Sequence, residues 1–493
     1  MKPQIEKMPT LQRVFLGECR TVAEVRLVAK ESQQINVLGI CADATVLSAE
    51  CLSQEILFDG KLNVKAIVQD NDGNIASLNY ANDFADKFKN NVITADTKAD
   101  MPCEVVDLTY TLQDNVVNAK CVVVCKVFAL MSEECDVLTD CDDLLVKKHD
   151  ALLCEQKSGV KKDFVVVDEV EFKHDFSKIL LAETTALLNS IVCEQGVVTA
   201  KGEFFTCVTY MRDDRDVRST VIKTPFEEEF SSSDADDECV AFGCVKTKNT
   251  KVRIEMSEEN AKEFSLEISA QLVANVFKTQ QRSFVCDAFS LKNHTQQNIK
   301  TLHSCCPKEY LCHETSANVV EQISGVDEIL CVTNPVVNIQ KTICVDSTLF
   351  VDGVVNANLL FVSEDKVLSC PLKADFQTKV QTGSDLLCEV SNVCVTQISV
   401  KIVRGAINAD FGLKFAVNCF DCQKYLAITD VQLLGEKQND DCGIEILVGK
   451  KGMTSWELQK YLGTSQEDLL ACNPGLVLPL EQDKKILVYR KIN

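Results

Sequence analysis

One block of sequence occurs three times in this chain, and that recurrence limits the possible folds more than any other feature. ECLSQEILFDGKLNVKAIVQDNDGNIASLNYANDF begins at Glu50, and VCEQGVVTAKGEFFTCVTYMRDDRDVRSTVIKTPF begins at Val192. Cys51, Gly60, Ser77 and Phe84 of the first block return as Cys193, Gly202, Ser219 and Phe226, each 142 residues later. A third block, ICVDSTLFVDGVVNANLLFVSEDKVLSCPLKADF, places Cys344, Gly353, Ser369 and Phe376 likewise. The spacing from second to third block is 151 residues before the loop NDGN/DRD/EDK and 150 after it, a deletion where one costs little.

Each block carries a strand pattern of period two. Leu62, Val64, Ala66 and Val68 share one face, as do Phe204, Thr206, Val208 and Tyr210, then Val355, Ala357, Leu359 and Phe361. A polar turn and a second strand follow, predicting a hairpin with one buried face; Asp70-Asn71-Asp72-Gly73 suits the turn. A second alternating pair follows in each copy, starting near Asp107, Lys251 and Gln397. The fold expected is mainly β: three tandem antiparallel sandwich-like or barrel-like repeats at residues 10–135, 152–280 and 301–427. The polar stretches Asp136–Asp150 and Asn293–Ser316 read as connectors between them. Cys51, Cys193 and Cys344 read as a shared core position.

The last stretch differs. Residues 443–493 carry a charge of +1, whereas the whole chain of 493 residues carries −22. Ile444, Ile446 and Val448 alternate as a strand. Thr454 or Ser455 can cap a helix carrying Trp456, Leu458 and Tyr461. A second helix opens at Thr464–Glu467 with Leu469 and Leu470 inward, Asn473-Pro474-Gly475 ends it, and Ile486 and Val488 close with a strand. The prediction is a small βααβ domain at 443–491.

This tail resembles a LysM domain. Lys450-Lys451-Gly452, Thr454 and Trp456, the break at Gly463-Thr464-Ser465, the turn Glu467–Leu470, and Asn473-Pro474-Gly475 all fall in register. Met453 stands where the family usually has Asp, and Leu480-Glu481 replaces its Pro-Gly. The resemblance implies a binding face, for protein or glycan, made by Gly452, Met453, Thr454, Ser455, Asn473, Pro474 and Gly475. The three repeats look like the SPOCS domain of sporulating Firmicutes, most visibly at Thr224-Pro225-Phe226. Tandem SPOCS domains with one C-terminal LysM are the architecture of spore coat morphogenetic proteins. That implies a non-enzymatic scaffold, made in the mother-cell cytoplasm and recruited to the forespore surface. Its LysM would dock onto a coat-basement protein of the stage IV sporulation protein A type, with other coat proteins or the chain itself as further partners. Binding of peptidoglycan or N-acetylglucosamine polymers is the alternative.

Composition narrows the remaining classes. An excess of 73 acidic over 51 basic residues speaks against nucleic acid, whose binding needs basic clusters. No run of about 18 apolar residues occurs, so no membrane-spanning helix is expected. The start has no apolar export segment, which predicts a cytoplasmic origin and 26 cysteines that are mostly reduced and buried. His303, Cys305, Cys306, Cys312 and His313 form a dense thiol–imidazole cluster, read as zinc ligands or, preferably, as a connector with exposed thiols. Cys419-Phe-Asp-Cys422 ends a β-rich unit, so a strand-end pair is expected rather than redox catalysis. No nucleotide-binding or hydrolase motif occurs, and no cofactor is expected. The acidic run Ser233–Glu238 reads as a solvated face.

Overall fold

The computed structural model describes residues 2–29, 34–212, 216–254, 261–383, 386–437 and 443–489. Asp214 and Arg215 of the second repeat's hairpin loop, and the polar run Gln438–Asp441 before the tail, lie outside the described residues. Strand accounts for 81% of the chain and helix for 3%, so the mainly-β class is correct.

The first repeat holds β1 (Pro3–Val28), β2 (Ile35–Leu52), β3 (Glu55–Asp70), β4 (Ile75–Lys89), β5 (Lys98–Asp100), β6 (Cys103–Gln113) and β7 (Val116–Cys141). The second holds β8 (Leu145–Phe176), β9 (Lys178–Glu194), β10 (Val197–Met211), β11 (Val217–Ser231), β12 (Cys239–Arg253) and β13 (Ala261–Phe289). The third holds β14 (Asn293–Glu321), β15 (Glu328–Val345), β16 (Thr348–Ser363), β17 (Lys366–Gln381), β18 (Leu386–Val403) and β19 (Ala406–Glu436).

All three copies share one topology. The meanders β2-β3-β4, β9-β10-β11 and β15-β16-β17 each form one three-stranded sheet. In the second sheet of each repeat the last strand lies between the first and the penultimate one: β1-β7-β6, β8-β13-β12 and β14-β19-β18. The two sheets enclose the repeat's own core, and among the described residues none closes into a barrel. The alternating residues of the middle strands face inward as their period requires: Leu62, Val64, Phe204, Val208, Val355 and Leu359 are all fully buried.

The recurrent Gly and Phe have a single explanation. Gly60 pairs across the sheet with Phe84, Gly202 with Phe226 and Gly353 with Phe376. In each copy the Phe ring lies over the glycine, where a Cβ would meet it within 2.4–2.5 Å. Beside each glycine the neighbouring strand carries a bulge, with Leu47, Asn189 and Gln340 as the extra residues. The glycine therefore lets the bulged backbone and the ring approach from opposite sides.

The repeats are not strung out in line; they close around a common axis. Leu38, Leu180 and Leu330 are each the extra residue of a second bulge, and each points into one shared cluster with Ile67, Ile75, Met211, Val217, Leu360 and Val367. This cluster caps one end of the axis. Towards the other end the long strands converge as a stem of three hairpins. Leu11, Leu130, Phe242, Phe277 and Phe420 fill its first layer. Met8, Val137, Leu153, Phe284 and Leu302 fill the next. Leu138, Leu144, Val285 and Ile428 fill the last. A parallel bridge at Leu11–Ser304 joins the first repeat to the third.

The stem corrects two readings. Asp136–Asp150 and Asn293–Ser316 are not connectors: they are the end of β7 with the start of β8, and most of β14. Only residues 142–144 and 290–292 link one repeat to the next. Cys51, Cys193 and Cys344 also differ from expectation. Cys193 is buried, Cys51 half-buried and Cys344 exposed, so they mark equivalent strand positions but no common core site.

Candidate interaction face of the C-terminal module

The tail forms β20 (Ile444–Gly449), α1 (Ser455–Leu462), α2 (Gln466–Cys472) and β21 (Lys484–Tyr489), with β20 and β21 antiparallel. Leu458, Leu462, Leu469, Leu480, Ile486 and Val488 make its core. Leu458 and Leu462 are four apart and so share one helix face. Thr454 caps α1 by accepting from the Glu457 backbone N–H, while the Glu457 carboxylate accepts from the Thr454 N–H. Gly463, in the left-handed region, ends the helix. Leu470 is 40% exposed, so only Leu469 of the expected pair points inward. Tyr461, at 69%, points to solvent as well.

Of the seven residues implied as a binding face, those with polar side chains are used by the fold. Thr454 is the cap, and Ser455 Oγ accepts from Gln459 Nε2 at 2.9 Å. Asn473 donates to the Leu469 and Leu487 carbonyls and accepts from the Leu487 N–H, tying α2 to β21. Met453 turns inward onto the core, and its sulfur accepts from the Lys450 N–H at 3.2 Å. Gly452, Pro474 and Gly475 remain exposed, with Val477 beside them. Apart from the exposed Thr454, whose hydroxyl is engaged by Glu457, what these loops offer outward is backbone and apolar surface.

A second contact was not legible in the motif. Trp456 donates its indole N–H to Asp287 Oδ2 at 2.8 Å, and Lys460 Nζ donates to both Asp287 oxygens at 2.7 and 2.9 Å. The indole also packs edge-on against Phe289. Trp456 and Lys460 are one turn apart on α1, on a face different from Leu458 and Leu462, and that offset was the available signal. Asp287 follows a bulge at Cys286 that re-aims the end of β13. The module is thus docked on the tip of the stem.

Burial works to raise the Asp287 carboxyl, but Lys460, Trp456 and Gln297 outweigh it and hold it below its ordinary value. A lowered carboxyl stabilises the docked state above the ordinary carboxylate range, and that contribution disappears as pH falls through the lowered value. Trp456 is the chain's one tryptophan, so its fluorescence reads the contact. Emission is expected to hold steady from pH 8 to about 5 and shift to longer wavelength at lower pH, with Asp287→Ala showing the shifted spectrum throughout. Identical emission from the variant and the unaltered chain at neutral pH would refute the docking.

The other candidate chemistry resolves differently. His303, Cys305, Cys306, Cys312 and His313 all lie on β14, which is neither a connector nor a metal cradle. Cys305 is disulfide-bonded to Cys422 opposite it on β19, Cys306 is buried, and His313 shares a hydrogen bond with Thr378. Cys419 lies within 3.1 Å of Cys388 instead of pairing with Cys422. No group of three metal-ligating side chains occurs among the described residues. In the acidic run, Asp236 is held down to about 2, chiefly by its hydrogen bond from Lys278.

No described helix is long and apolar enough to cross a membrane. No family model, curated protein or solved structure matches this chain.

Proposed function

We propose that the protein is a non-enzymatic scaffold of the bacterial spore coat. Three SPOCS-like repeats form its body, and a LysM-like module docks it onto a coat-basement protein of the stage IV sporulation protein A type at the forespore surface. The observation that carries this reading is the state of the candidate binding face. Its polar side chains are consumed internally and Met453 replaces the usual Asp, so the outward surface of Gly452, Pro474, Gly475 and Val477 suits a protein partner better than a sugar polymer. Sugar recognition needs convergent polar groups to pair with hydroxyls. The body offers a rigid platform for the module, since Asp287 fixes α1 to the stem.

The test is removal of residues 443–493. The truncated chain is expected to keep the body's thermal transition while losing recruitment to the forespore, and normal recruitment would defeat the proposal. Retention of the full chain on insoluble peptidoglycan, lost with the same truncation, would favour the glycan-binding alternative.

A further inference from the structure

Between the apolar cap formed by Leu38, Leu180 and Leu330 and the first layer of the stem lies a chamber of about 2230 Å³ that all three repeats line. Its walls come largely from β2, β6, β9, β12, β15 and β18, the strands at one border of every repeat's two sheets. The charge of this lining is opposite to that of the molecule. Ten lysine and arginine side chains face six carboxylates, in a chain whose net charge is −22.

The pairing inside is also asymmetric. Asp100, Glu104, Glu183 and Glu389 each have a cationic partner: Arg13 serves Asp100 and Glu389, Lys126 serves Glu104, and Lys65 serves Glu183. Asp43 accepts from Asn63 at 2.9 Å and lies near Lys65 and Lys61, which leaves Glu18 as the one chamber carboxylate without a cation nearby among the described residues. Lys61, Lys98, Lys161, Lys246, Lys341 and Lys424 make no ion pair among the described residues. Lys61 and Lys246 are half-buried; Asp43 acts on Lys61 from beyond ion-pair distance, and Lys246 has no carboxylate in contact among the described residues. Unpaired cations gathered around one recess make a binding site for negative charge.

We propose that this chamber binds a multivalent oxyanion, phosphate- or carboxylate-bearing, held by Lys61, Lys246 and the other unpaired lysines of its wall. The volume exceeds that of an ordinary small-molecule pocket, about 300–1,000 Å³, so an extended anion with several charges fits better than a single phosphate.

Isothermal titration of the intact chain with inorganic tripolyphosphate and, separately, with citrate tests this. One saturable event per chain is expected, weakening as salt is raised because the contacts are ionic. Tighter binding of one probe identifies which oxyanion the site prefers. The double substitution Lys61→Gln/Lys246→Gln should weaken binding at least about tenfold, as loss of partly desolvated charge contacts does. Asn249→Glu, at an exposed position on the chamber wall beside the β12 bulge, should weaken it by repulsion without disturbing any packed side chain. Lys7→Gln, on the outer surface of the stem, should leave it unchanged. The proposal is overturned if the unaltered chain binds neither probe, if Asn249→Glu binds as tightly as the unaltered chain, or if Lys7→Gln weakens binding as much as the chamber variants.

Discussion

Arg13→Ala is expected to destabilise the chain by about 3–5 kcal/mol, the range for breaking one side of a buried ion pair. Arg13 on β1 of the first repeat reaches Glu389 on β18 of the third, with its Nε 3.0 Å from both carboxylate oxygens and its Nη2 2.6 Å from one. The side chains are only 12% and 16% exposed. The guanidinium also sits over Phe128 and Phe420, 5.0 and 5.1 Å from the ring centres, so it is gripped by the first and third repeats together. Burial alone would lower its proton affinity, but Glu389 and Asp100 reverse that and keep the charge in place. Truncation leaves Glu389 without its clasp. A paired change, Arg13→Met with Glu389→Leu, should recover most of the loss, because a well-packed apolar pair can replace a buried ionic one. Urea unfolding followed by circular dichroism measures both; a single variant within about 1 kcal/mol of the unaltered chain, typical of surface pairs, would mean that the clasp is solvated.

Alanine at the recurrent glycines is the second large effect, and its size should differ among the copies. A Cβ at Gly202 would lie 2.3 Å from the Leu187 carbonyl oxygen, one at Gly60 2.7 Å from that of Thr45, and one at Gly353 2.9 Å from that of Asn338. The Phe ring above each glycine can tilt away, but a strand carbonyl in a bulge moves only with its sheet. Overpacking of this kind costs about 1–3 kcal/mol, and Gly202→Ala is expected at or beyond the upper end, followed by Gly60→Ala and then Gly353→Ala. Replacing Phe376 with leucine should recover much of the Gly353→Ala loss, yet Phe226→Leu should recover little of the Gly202→Ala loss. Equal losses at the three positions, measured by the same unfolding curves, would show that the ring alone dictates glycine.

The repeats were legible because their middle strands have one wet and one dry face, and a period of two then writes itself into the sequence. The stem was not. Its hairpins bury narrow layers such as Met8, Val137, Leu153 and Phe284 while the residues between them meet water, so β7, β8 and β14 carry the charge density of loops. Closure around an axis was hidden for a different reason. Leu38, Leu180 and Leu330 sit at bulges, where the two-residue period slips and a residue changes face. The chamber lysines looked like any solvated charge, since sequence does not say which side of a sheet edge is enclosed. In the tail, the capping box and the Leu458–Leu462 stripe announced themselves. The role of Trp456 did not, because its partner Asp287 lies 169 residues away.

The fold stands or falls by three repeats closing on one another within a single chain. Its total accessible surface, 25499 Å², exceeds the roughly 18,000 Å² expected of a compact monomer of this mass, in keeping with a protruding stem and an open chamber between the repeats. Zero-length carbodiimide cross-linking followed by peptide mass spectrometry reads the closure directly, because each pair of repeats is bridged by a lysine and a glutamate in contact. Lys65–Glu183 joins the first to the second at 3.6 Å, Lys414–Glu203 the third to the second at 2.9 Å, and Lys300–Glu133 the third to the first at 3.2 Å. All three cross-links are expected in monomeric protein at low concentration. Cross-links confined within repeats, with none of these three, would contradict it.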